Sequence, residues 1–155
     1  TGDKGIKLNK GILDKELTQV SKDEGNGKIE QTTYQFTGDN EGEGLFRFLS
    51  KNTKVEWSLI QYGEISGDNG KNLLLTTHTA ESIVSSLEVF NYVNFDLRQK
   101  IRYDVHNHPS GSHATSPGDG KSWSIIWNLN NPNAKCGIYT SQDNSFIQYY
   151  PKKRK

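Results

Sequence analysis

The sequence predicts a mixed α/β domain on three observations. Short runs of β-forming residues alternate with segments whose apolar residues recur at helical spacing. Their order is helix, hairpin, helix, strand, helix, hairpin, which builds a sheet with helices packed on it. The length, 155 residues, suits one domain at roughly 100–200 residues each. Three Trp, seven Tyr and six Phe supply one modest core in a chain that is otherwise polar and holds 15 Gly.

The first forty residues are rich in Lys, Asp, Glu, Gly and Thr. They hold two short strands, around Ile12–Val20 and Ile29–Phe36. Lys22-Asp23-Glu24-Gly25-Asn26-Gly27 reads as the turn between them. Gly38-Asp39-Asn40-Glu41-Gly42 is a break. Leu45, Phe46, Phe48 and Leu49 then fall on one helical face, so Glu43–Lys51 is a short amphipathic helix. Val55–Tyr62 and Leu73–Thr77 are strand-like, and the turn Gly63–Asn72 makes them a hairpin.

Thr79 can cap a helix that presents Ile83, Val84, Leu87 and Phe90 on one face. Asp96–Lys100 is a connection. Ile101–Val105 alternates apolar and polar, as a half-buried strand does. Trp123, Ile126 and Trp127 place another helix from about Asp119, and Asn130-Asn131-Pro132-Asn133 stops it. Cys136–Thr140 and Ser145–Tyr150 flank Gln142-Asp143-Asn144 as a second hairpin. Trp123 and Trp127 read as core, Cys136 as a small buried hydrophobe, and Lys152–Lys155 as a solvated tail.

Composition excludes several function classes. Nineteen Lys+Arg against eighteen Asp+Glu leave a net charge of +1. A chain that coats nucleic acid needs a basic surplus, so no nucleic-acid partner is expected. No apolar run approaches the roughly 18–20 residues of a membrane span. Thr1–Lys10 is polar and basic and contains no apolar signal-peptide segment. One cysteine permits neither an internal disulfide nor a zinc site built on several thiolates. The chain has no Met, and the expectation is a domain cut from a longer polypeptide.

The chemistry concentrates in His106–Asp119. His106 and His108 are two apart on extended backbone, so both rings share one face. Two imidazoles so placed can hold one metal ion. Pro109 ends the strand. Asp119 stands at a helix start, a favourable place for a carboxylate. As a third ligand it would leave a fourth position open for water, the pattern of catalytic rather than structural zinc.

His106-Asn107-His108-Pro109, then Ser116, then Asp119, resembles the His-x-His-Pro…Ser-x-x-Asp signature of the JAMM zinc metalloproteases, the MPN-type domain. His106–Gly111 is also similar to the bacterial RadC branch of that family. The resemblance runs from about Glu43 to Tyr150. It implies a three-layer, cytidine-deaminase-like α/β fold in which a mixed sheet is flanked by helices. It divides the chain into an N-terminal extension, 1–40, and a metallopeptidase domain, 41–155. It implies that His106, His108 and Asp119 bind Zn2+, that Glu56 is the catalytic acid–base, and that Ser116 donates to the oxyanion. Glu64 is the alternative to Glu56, although Gly63 and Ser66-Gly67 set it in a turn. The implied reaction is hydrolysis of a peptide or isopeptide bond in a protein substrate, with no covalent intermediate and no task for Cys136.

Such a domain is similar to the JAB-like toxin domains of bacterial polymorphic toxins. These are secreted or delivered into a target cell as part of a larger protein, and a cognate immunity protein neutralises them in the producer. The alternatives are a cytoplasmic JAMM peptidase, deubiquitinase-like or sulfur-carrier-processing, and an inactive MPN scaffold. The scaffold's mark would be a missing ligand or Glu, and none is missing here. An HNH nuclease spreads its residues over a hairpin and a helix. A cupin needs a Glu soon after the His pair, and Ser110–Thr115 has none. His78 reads as a surface or capping residue, and His113 as a solvated loop residue or substrate contact.

Overall fold

Seven strands form one sheet in the computed structural model, which describes residues 13–23, 27–76, 90–112, 123 and 133–148, with side chains from residue 32 onward. In chain order they are β1 (Leu13–Asp23), β2 (Gly27–Thr37), β3 (Trp57–Tyr62), β4 (Lys71–Thr76), β5 (Ile101–Asn107), β6 (Lys135–Thr140) and β7 (Ser145–Gln148). Helix α1 (Asp39–Asn52) lies between β2 and β3. The spatial order is β1-β2-β4-β3-β5-β6-β7. Every neighbouring pair is antiparallel except β5 and β6, which run parallel. The sheet is therefore mixed, and the fold is of the α/β class that the pattern of runs predicts.

Local chemistry accounts for the connections. The β3–β4 turn contains Gly63 at φ +86° and Gly67 at φ +76°, a region that costs glycine little. The turn between β6 and β7 uses Asn144 at φ +51°, which asparagine tolerates best among residues with a Cβ. The N-terminal pair, β1 and β2, is a hairpin whose register closes at Asp23 opposite Gly27. It joins the rest of the sheet through β2, which pairs with β4 from Thr32 opposite Thr76 to Thr37 opposite Lys71.

Each face of the sheet carries its own apolar cluster. On one face Phe36, Trp57, Leu59, Leu74, Val105 and Tyr139 pack with Phe46 of α1. On the other, Ile60, Leu73, Leu75, Cys136 and Ile138 pack with Phe90, Val93 and Trp123. Phe90 and Asn91 are helical and run into a wider π turn, Tyr92–Asp96. Residues 77–89 lie outside the described residues, so of the Thr79–Phe90 helix only Phe90 can be compared. Trp123 is likewise the one described residue of the helix expected after Asp119; it is helical and buried.

Two local expectations change. The α1 helix begins at Asp39, four residues before the position that spacing suggests. Gly38, at φ +114°, makes the entry, and its N–H donates to the Gly70 carbonyl at 2.8 Å. Gly42 sits inside the helix because it faces Asn72 and Phe36 closely. A Cβ there would lie 2.5 Å from Asn72 Oδ1 and 2.9 Å from Phe36 Cε2. What reads as a break is thus a packing glycine. Strand β5 is a central strand, not a half-buried one. It is flanked by β3 and β6 and covered on both faces, so Asp104, His106 and Asn107 are buried along with Ile101 and Val105.

Asp39 ties the start of α1 to the sheet. Its carboxylate accepts from Arg102 Nη1 and Nη2 at 3.0 and 3.2 Å, from the Gly67 N–H at 2.9 Å and from Asn72 Nδ2 at 3.1 Å. A bidentate, partly buried pair of this kind fixes orientation as well as contributing energy. Gly42→Ala should destabilise the fold by about 1–3 kcal/mol through overpacking, overriding a helix-propensity gain of about 1 kcal/mol. Urea denaturation checks this, and an unchanged or raised midpoint would show that Asn72 yields without cost.

Candidate metal centre

Strand pairing builds the site. In the antiparallel pair β3/β5, Ser58 stands opposite His106 and Leu59 opposite Val105. Continued by two residues, that register sets Glu56 opposite His108. Alternation along each strand then puts Glu56, Ser58, His106 and His108 on one face. This is the face that carries Trp123, away from α1. Trp123 packs beside His106 with ring centroids 6.2 Å apart, so it is core and wall of the site at once.

Glu56, His106 and His108 come together. One ligand atom from each lies within 4.8 Å of the others. Glu56 and His106 are only 6% and 8% exposed, and His108 is half-buried. The two Nε2 atoms are 3.1 Å apart. His108 Nδ1 is 2.9 Å from the Ser112 carbonyl oxygen, which can only accept, so Nδ1 is the donor there and Nε2 is the nitrogen turned toward His106. Fixing the outer nitrogen on a carbonyl is the usual way a metal-binding histidine is oriented. The His108 backbone N–H donates to the Tyr139 carbonyl at 3.1 Å, holding the end of β5 on β6.

The segment bearing Glu56 precedes β3 and is held by side chains. The Glu56 carbonyl accepts from Thr76 Oγ1 at 2.8 Å. The Val55 carbonyl accepts from Asn107 Nδ2 at 3.2 Å, and the Trp57 N–H donates to Asn107 Oδ1. Glu64 is exposed beyond the opposite end of β3 and is not in the group. Ser116, Asp119, His113 and His78 lie outside the described residues.

A buried carboxylate beside two imidazoles can hold a metal ion and can exchange a proton with water. The family model described as JAB-like toxin 1 matches residues 34–145. The chain belongs to the JAB-like toxin 1 family. No curated protein matches it. The matched segment of this JAB-like toxin domain spans every candidate site residue, from Glu56 to Asp119. No described helix is long and apolar enough to cross a membrane.

Sequence reasoning missed Asn107, Thr76 and the Ser112 carbonyl. Alternation could have placed Asn107 on the face opposite the histidines, but nothing in the sequence tells which backbone groups its amide meets. A backbone carbonyl such as that of Ser112 leaves no sequence signal at all.

Cys136 is fully buried in the site-side core. Burial first, and then the nearby Asp104 charge, push its thiol well above the ordinary value of 9.0, which leaves it without nucleophilic thiolate. Burial likewise raises Tyr103 and Tyr139 above 10.0. For groups raised by folding, stability is complete below the unfolded value and is lost as pH climbs past it. Thermal unfolding across pH should therefore show an alkaline decline that starts near pH 9, and Cys136→Ala should move its onset toward about pH 10. Native Cys136 should also resist iodoacetamide until the chain unfolds; rapid labelling of the folded domain would contradict its burial.

Proposed function

We propose that this JAB-like toxin domain is a zinc-dependent hydrolase of the JAMM type that cleaves a peptide or isopeptide bond in a protein substrate. The observation that carries the reading is the buried Glu56 carboxylate set within 4.8 Å of two histidine nitrogens that face one another. The donor set fits the ion: nitrogens each about 2.0–2.1 Å from one tetrahedral zinc stand ~3.3 Å apart, close to the 3.1 Å between the two Nε2 atoms. His106 and His108 would hold it, with Asp119 as the third ligand. Bound there, zinc would supply a Lewis acid and would lower the pKa of water from about 15.7 toward 7.

The chain's own residues do the rest. Glu56 takes the proton of the attacking water and returns it to the leaving nitrogen, so one carboxylate serves as base and then as acid. Ser116 donates a hydrogen bond to the oxyanion of the tetrahedral intermediate. No acyl-enzyme forms, in keeping with the absence of thiolate character at Cys136.

The toxin family supports delivery of the domain into a target cell as part of a larger secreted protein, with an immunity protein as the protective partner. Both His residues and the Glu of the expected site are present and close together, which favours an active enzyme over an inactive scaffold.

His106→Ala/His108→Ala should lose stoichiometric zinc in metal analysis, and retained zinc would remove the assignment. Glu56→Gln should keep the metal and lose about 10²–10⁴-fold in turnover. Expression of the domain in a bacterial cytosol should arrest growth, and the Glu56→Gln variant should not. Harmless expression of an active domain would favour a cytoplasmic peptidase. Mapping the new N-termini that arise after induction identifies the substrate.

A further inference from the structure

We propose that Asn107 is a positioning residue that sets where the Glu56 carboxylate stands relative to His106 and His108. Glu56 has no place in the sheet ladder, because β3 begins one residue later. The backbone around it must find other partners, since buried N–H and C=O groups are costly when unpaired. Asn107 supplies two of them. It donates Nδ2–H to the Val55 carbonyl at 3.2 Å and accepts the Trp57 N–H on Oδ1. One side chain thus grips the peptide groups on both sides of Glu56.

Only a short primary amide does this. It offers a donor and an acceptor from one rigid plane. A carboxylate would meet the Val55 carbonyl with like partial charge, and an aliphatic side chain would satisfy neither group. The amide orientation is also fixed, because Val55 can only accept and Trp57 can only donate. Thr76 holds the Glu56 carbonyl from the other neighbouring strand. Asn107 itself sits on β5 between the two histidines and is buried. Alternation turns its side chain to the α1 face, so it reaches Glu56 through backbone and does not touch the reacting atoms. Its cross-strand clamp converts the spacing of three consecutive residues, His106, Asn107 and His108, into the separation between proton carrier and metal ligands.

The kinetic arm of the test rests on the hydrolytic reading above; the other arms do not. Asn107→Ala removes both bonds, and Asn107→Asp keeps the volume and the acceptor but removes the donor. In the cobalt-loaded protein, Asn107→Ala should bind one equivalent with affinity within about threefold of wild type, while kcat falls about 10²-fold and KM stays within about threefold, as expected for a misplacement near 1 Å. Asn107→Asp should lose at least about tenfold in kcat. Combined with Glu56→Gln, Asn107→Ala should cost nothing further, because it acts through Glu56; a merely structural role would add its cost. Hydrogen exchange gives a readout without turnover: Trp57 N–H protection should fall in Asn107→Ala while Leu59 and Val105 keep theirs. The cobalt absorption bands of Asn107→Ala should move toward those of Glu56→Gln. Wild-type kcat in both single variants, an additive double variant, or unchanged Trp57 exchange would each overturn the proposal. A wild-type chain that binds cobalt but cleaves nothing would sink the hydrolytic reading alone, and exchange and cobalt spectra would then decide the clamp.

Discussion

The antiparallel register between β3 and β5 is the constraint on which the candidate site depends. Ser58 faces His106, so Glu56 faces His108, and the period of two along each strand puts the carboxylate and both rings on one side. A slip of one residue would send Glu56 through to the α1 face and leave the histidines without their acid. The register is protected from such a slip by burial on both faces. Leu59 and Val105 are committed to the cluster under α1, while Ile60 and Ile101 are committed to the cluster under Trp123. A one-residue shift of β5 would carry Asp104 or His106 into the cluster under α1 in place of Val105.

Two anchors lie at opposite ends of the same two strands. Where β3 ends and β5 begins, Arg102 grips Asp39 and contacts the Tyr62 carbonyl, which locks α1 to the sheet. Where β3 begins and β5 ends, Asn107 spans the strands and Thr76 reaches in from β4. The first anchor is an ion pair on the α1 side. The second is a set of neutral hydrogen bonds around the backbone of Glu56. A charged clamp next to Glu56 would compete for the proton that the carboxylate is proposed to carry, whereas an amide holds position without doing so.

Much of this was legible in the sequence, for physical reasons that can be named. The two hairpins β3/β4 and β6/β7 announced themselves through β-forming runs around Gly- and Asn-rich turns. The pairing of His106 with His108 followed from strand periodicity alone, and Glu56 followed from family resemblance. The start of α1 was obscured because Gly42 serves close packing against Asn72, and a glycine kept for space looks the same in sequence as one kept for flexibility. The burial of β5 was obscured because Asp104, His106 and Asn107 are polar residues held inside by partners, and partnership is a property of three dimensions. Asn107 shows the limit best: its role depends on which peptide groups lie across the strand, not on its neighbours in the chain.

The solitary, deeply buried Cys136 has a bearing on where such a domain can work. With one thiol there is no internal crosslink to form or break, and its place in the core removes it from exchange with other thiols. Folding therefore draws nothing from the redox poise of the surroundings. An oxidising exterior and a reducing cytosol present the same folded molecule, so passage between the two asks for no disulfide chemistry on arrival.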